Sequence, residues 1–88
     1  MRRFSATVPL PADEALFEAL RDLRKKLASE GGVPSYVVFN DASLRAMAAR
    51  KPVTLGDFAD IPGVGDRKLA QYGEIFTALI RDRLQTPA

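Results

Sequence analysis

The chain has 88 residues, with 13 Lys and Arg against 11 Asp and Glu and a formal net charge of +2 at pH 7. Its length suits one small domain with a modest core, and 47% hydrophobic with 27% charged residues is the balance of a folded chain, not a disordered one. Cysteine and histidine are both absent, which excludes disulfides, thiolate metal sites, catalytic triads and cysteine–histidine dyads. A binding module is therefore the default class. No run approaches the roughly 18 apolar residues of a membrane span, and no signal peptide is visible.

Residues 1–12 hold Pro9 and Pro11 and show no helical period, so they read as a linker or tail. Residues 13–85 read as the helical domain, and 86–88 as a C-terminal tail. A first helix is expected from about Pro11–Asp13, with Asp13 and Glu14 at the positive end of its dipole. Leu16, Leu20, Leu23 and Leu27 recur at helical spacing, and Phe17 and Ala28 widen that stripe. Arg24, Lys25 and Lys26 fall in its last turns, before Gly31-Gly32 stops it.

Residues 33–39 contain Val33-Pro34-Ser35-Tyr36-Val37-Val38-Phe39, too short for periodicity to separate strand from helix. A lone strand here would leave its backbone groups unpaired, so a single helical turn is preferred. That turn should place Val37, Val38 and Phe39 in the core and Tyr36 near the surface. Asn40-Asp41-Ala42-Ser43 offers caps for a third helix, which carries Leu44, Met47 and Ala48 inward and leaves Arg45, Arg50 and Lys51 outward. Pro52 ends it. Thr54 through Asp57 has capping-box spacing and opens a short fourth helix expected to bury Leu55, Phe58 and Ile61.

The last helix is expected from about Asp66 to Gln85, with Leu69, Tyr72, Ile75, Phe76, Leu79, Ile80 and Leu84 as its apolar members. Gly73 lies in its interior at a cost of roughly 1 kcal/mol against alanine, which a close helix crossing would explain. The whole reads as an all-α bundle of five helical pieces.

Ile61-Pro62-Gly63-Val64-Gly65 invites a nucleotide-loop reading that its context rejects. A dinucleotide fingerprint needs a third glycine where Lys68 stands and a strand before the turn. Arg67 and Lys68 could meet a phosphate, but Asp57, Asp60 and Asp66 outnumber them around the turn. A packing corner is the better reading. The denser cationic stretch is Arg21, Arg24, Lys25 and Lys26, with Arg45, Arg50 and Lys51 further along. If the segment at 33–39 brings these together, Tyr36 offers a ring on which a base can stack. No carboxylate pair sits among apolar neighbours, and no serine has a base to activate it, so no catalytic residue is assigned.

The leucine stripe, the block from Val33 to Leu44, the turn Ile61-Pro62-Gly63-Val64-Gly65-Asp66-Arg67-Lys68-Leu69 and the following Tyr72-Gly73 together resemble an HRDC domain, most like those of bacterial RecQ helicases. The resemblance spans about residues 13–84. It implies a five-helix bundle with short second and fourth helices, monomeric, and accessory to a cytoplasmic, nucleoid-associated enzyme of DNA repair or recombination. The resemblance also implies weak contact with single-stranded or junction DNA through Tyr36, Lys25, Lys26, Arg45, Arg50 and Lys51, with Arg24, Arg67 and Lys68 as weaker candidates. It implies no cofactor in the domain and no metal site; ATP and Mg would serve the parent helicase. The acids Asp57, Asp60 and Asp66 suggest an alternative, docking onto the helicase core of the same polypeptide. An RNase D-type parent, with RNA as partner, is a further alternative.

Overall fold

The computed structural model describes residues 11–85, with side chains from Glu14 onward. The expectations for residues 1–10 and 86–88 lie outside the described residues. The described chain forms α1 (Pro11–Gly31), α2 (Ser35–Val38), α3 (Asp41–Arg50), α4 (Leu55–Ala59) and α5 (Asp66–Gln85).

Helix α1 buries Leu16, Phe17, Leu20 and Ala28, with Leu23 and Leu27 partly buried along the same stripe. It closes in a Schellman arrangement: Gly32 takes φ 66°, its N–H donates to Ser29 O, and Val33 N–H donates to Ala28 O at 3.0 Å. The helix stops at Gly31-Gly32 as expected, but Arg24, Lys25 and Lys26 lie short of its final turn. Its last turn carries no basic residue.

Pro34 enters α2 in extended geometry, as a residue with a fixed φ at a helix start can. The single turn of α2 then swings back to extended backbone at Phe39. Val38 and Phe39 are buried as expected, but Val37 is not. With both of those residues turned inward, one helical turn leaves Val37 beside Tyr36 on the outside.

Asn40 caps α3 by accepting a hydrogen bond from the Ser43 N–H at 2.8 Å. Leu44, Met47 and Ala48 are buried. Lys51 ends α3 in the left-handed region at φ 52°, its N–H donating to Met47 O at 2.8 Å. Thr54 caps α4 through the Asp57 N–H at 3.1 Å, and Phe58 and Ile61 enter the core. Leu55 does not. It lies over the surface of α5, where a Cβ on Gly73 would come within 2.9 Å of its Cδ2 and 3.1 Å of Leu69 Cδ1. This is the close crossing that the interior glycine requires. Ile75 and Leu84 of α5 are exposed as well, because the five-helix bundle covers only the stripe through Gly73, Phe76, Thr77 and Ile80.

Phe39 is the hub of the core. Its ring meets Phe58, Tyr72 and Phe76 edge-on, with centroids 5.9, 5.7 and 5.1 Å away. The glycine turn completes the bundle as a packing corner. Ser43, 2% exposed, donates from its hydroxyl to Pro62 O at 2.7 Å. Gly63 follows at φ 91°, and a Cβ there would run into the Ser43 hydroxyl.

Candidate nucleic-acid interface

Tyr36 projects from α2 with 70% of its surface exposed, the most exposed large hydrophobic side chain among the described residues. The adjacent Ser35 lines a surface cavity of about 260 Å³ shared with Glu18, Arg21, Asp22, Arg24 and Lys25 of α1. The fold thus brings α2 to the basic segment of α1, with Tyr36 next in the chain to Ser35. Pro34 and the Schellman closure set that geometry, because they fold the chain back at the end of α1.

The cations differ in how far they are free. Arg24 is held fast: its guanidinium donates to Phe39 O at 3.0 Å and to Asp41 Oδ1 at 2.7 Å, and its side chain is only 11% exposed. It pins the link between α2 and α3 to α1, so it supplies charge to the surface more than reach. The Arg24 hydrogen bond and charge, with Arg21 and Arg45 nearby, hold the Asp41 carboxyl below the usual carboxylate range. Arg45 lies over the Phe17 ring, its guanidinium carbon 4.4 Å from the centroid, and Arg21 approaches the same ring at 5.9 Å while pairing with Glu18 at 3.2 Å. Lys25 and Lys26 are exposed and form no ion pair with a described residue.

Arg50 belongs to another surface. It follows Arg45 by five positions, about 140° further round α3, and its guanidinium donates to Asp60 O at 3.2 Å. With Pro52, Asp57 and Asp60 it lines a second groove of about 230 Å³. Arg50 of α3 therefore meets Asp57 of α4 and its C-cap Asp60 on one side of the molecule. Lys51 follows at the α3 C-cap, half-buried. Lys68 sits over the Phe39 ring at 5.4 Å and is partly buried, while Arg67 and Asp66 are exposed at the start of α5.

Two contributors escape a reading of charge runs. Ser35 reaches the cavity only through the fold. Asp41 looks like a helix-start acid, yet it is the counter-ion of Arg24. One signal was available: round the helix Arg24 falls between Leu20 and Phe17, inside the apolar stripe, where a charged side chain must reach a partner.

The described residues hold no cluster of three or more acidic side chains placed to bind a metal ion, and no helix long and apolar enough to cross a membrane. The geometry defines a small all-α domain with a mixed-charge surface around one exposed ring. A family model described as the HRDC domain matches residues 13–80, and the chain belongs to that family. It is 45% identical over 64 residues to the ATP-dependent DNA helicase RecQ of Bacillus subtilis, a match covering 73% of this chain and 11% of that protein. It is 41% identical over 83 residues to the ATP-dependent DNA helicase UvrD2 of Mycobacterium tuberculosis, covering 94% of this chain and 12% of that helicase. Among solved structures, HRDC domain 3 of D. radiodurans RecQ superposes with a TM-score of 0.81 at 42% identity, over 84% of this chain and 97% of that one. The chain thus spans about a tenth of the length of these helicases.

Proposed function

We propose that the chain is a non-catalytic accessory domain of an ATP-dependent DNA helicase, of RecQ type, that tunes DNA binding and substrate choice in repair or recombination. Its contact is with single-stranded or branched DNA and is weak. ATP and Mg serve the helicase core, which also accounts for the chemistry. The observation that carries this reading is Tyr36, a ring 70% exposed beside a cavity lined by Arg21, Arg24 and Lys25. An aromatic side chain left in water next to cations is a stacking platform for an unpaired base, worth about 1–3 kcal/mol per base. Lys25, Lys26 and Arg45 supply the accompanying charge. Arg50, Lys51, Arg67 and Lys68 contribute at longer range.

The test is a fluorescence titration of labelled single-stranded DNA in low salt. Tyr36→Ala is expected to weaken binding about fivefold or more, and log affinity should fall against log salt by about 0.7 per phosphate contacted. Absence of binding at high micromolar protein would refute direct DNA contact.

One observation favours a second reading, docking onto the helicase core. Asp57 and Asp60 keep exposed carboxylates at the rim of the Arg50 groove, where basic side chains of another domain can enter. Asp66 extends this acidic rim along the chain. Charge reversal at Asp60 or Asp66 should then alter unwinding by the full-length enzyme while leaving DNA binding by the isolated domain unchanged. Unchanged unwinding would rule docking out.

A further inference from the structure

The stripe of α1 that faces the cavity alternates in sign. Glu18, Arg21, Asp22 and Lys25 follow one another at spacings of three, one and three, so all four lie on one face of the helix. All four line the cavity, with Arg24 beneath and Ser35 opposite. Three cations therefore share this space with two carboxylates. Glu18 already holds Arg21 at 3.2 Å, with both side chains about half exposed. Arg24 is committed to Phe39 O and Asp41. That leaves Lys25, which has no ion-pair partner among the described residues, as the one cation there free to meet an anion.

We infer that this cavity seats one backbone phosphate of a bound DNA single strand, and that Glu18 and Asp22 are built-in competitors that keep the seat weak. The inference rests on the proposed DNA contact and gives it a location and a limit. The Lys25 ammonium and the Ser35 hydroxyl donate to the phosphate, and Arg21 joins only on leaving Glu18. Tyr36, next in the chain to Ser35, is placed to stack the neighbouring base. Each binding event brings a phosphate against the Glu18 and Asp22 charges, and recruiting Arg21 to it breaks the Glu18–Arg21 pair. A surface of this kind holds a strand loosely and releases it readily, which suits a domain that must let DNA move past.

The reasoning makes an unusual demand: removing a residue from the site should strengthen binding. One carboxylate about 6 Å from a phosphate, at an effective dielectric of about 40–80, weakens binding by about three- to tenfold. Glu18→Gln and Asp22→Asn are each expected to tighten binding of the 88-residue chain to labelled oligo(dT) by that factor in low-salt anisotropy titrations. Lys25→Gln should weaken it and lower the salt slope by about 0.7, the loss of one phosphate contact. Asp57→Asn removes the same charge from the other groove and serves as the control. Equal tightening by Asp57→Asn would overturn it, because a general change in charge would then suffice. Unchanged affinity in Glu18→Gln and Asp22→Asn, alongside a Tyr36→Ala variant that does lose affinity, would overturn the phosphate seat and leave DNA contact standing. If neither the unaltered chain nor any carboxylate variant binds, DNA contact and the seat fall together.

Discussion

Replacing Gly63 with alanine tests the corner on which α5 is set. The backbone there takes φ 91°, which costs an L-residue roughly 1–2 kcal/mol. The new Cβ would also occupy the place of the Ser43 hydroxyl, which is buried and bonded to Pro62 O at 2.7 Å. Driving that hydroxyl aside breaks the bond and leaves the buried Ser43 hydroxyl without its acceptor, a further loss of about 1–3 kcal/mol. Gly63→Ala should therefore cost about 2–5 kcal/mol, a large part of the stability of a domain this small. Urea unfolding followed by circular dichroism reads it directly, with the m-value expected to stay constant. A double-mutant cycle separates the two causes. Ser43→Ala removes the hydroxyl and makes room for the new methyl, so Gly63→Ala in that background should cost only the backbone share. The double variant should then be more stable than additivity predicts by about 1–3 kcal/mol. A cost below about 0.5 kcal/mol for Gly63→Ala, or strict additivity in the cycle, would refute the packing-corner account.

Two further substitutions probe the link between α1 and α3. Asn40→Ala removes the acceptor that caps α3 and should destabilise by about 1 kcal/mol, a fall in Tm of roughly 4–8 °C; an unchanged Tm would mean that Ser43 N–H has another acceptor. Asp41→Asn should lower Tm at neutral pH, because it takes the counter-ion from Arg24. The folded protein holds the Asp41 carboxyl below its usual range, so its stabilising effect is present above the unfolded pKa and fades as pH falls through the folded one. The gap in Tm between Asp41→Asn and the unaltered chain should thus narrow as pH falls below the usual aspartate pKa of about 3.9 and vanish below the lowered folded one, and a gap that stays constant through this fall would show that the ionic pair is not its source.

The number, order and bounds of the helices were legible because their signals are local. Apolar spacing, the Asn40 and Thr54 caps, the Gly31-Gly32 stop and the prolines each act within a few residues. The buried side of each long helix was legible for the same reason. What was not legible was where burial ends. Val37, Leu55, Ile75 and Leu84 are as apolar as their buried neighbours, yet a domain of this size has too little partner surface to cover all of them. Leu55 shows the mechanism. It packs on α5 only because Gly73 lacks a side chain, and that contact leaves its outer side in water. The exposure of Tyr36 was readable from its place in the chain, because Val38 and Phe39 outcompete it for the core.

Charge was less legible than shape, for a physical reason. Counting neighbours along the chain groups Arg24 with Lys25 and Lys26, and Arg50 with Arg45. Folding separates these pairs, since a helix turns each residue about 100° from the last. Arg24 turns inward to Phe39 O and Asp41, whereas Lys25, its neighbour, turns to solvent. Arg50 leaves Arg45 and joins Asp57 and Asp60. A near-neutral chain can still present a directed surface, provided its charges are sorted by partner and not by position. Here the sorting leaves Lys25, Lys26 and Tyr36 as the least committed groups near the end of α1. The groups that would have made a strong basic patch are already engaged, by Glu18, by Asp41 and by the Asp60 carbonyl. The scarcity of uncommitted cations is then a property of the fold, since each of those partners also holds two elements, or two turns of one helix, together.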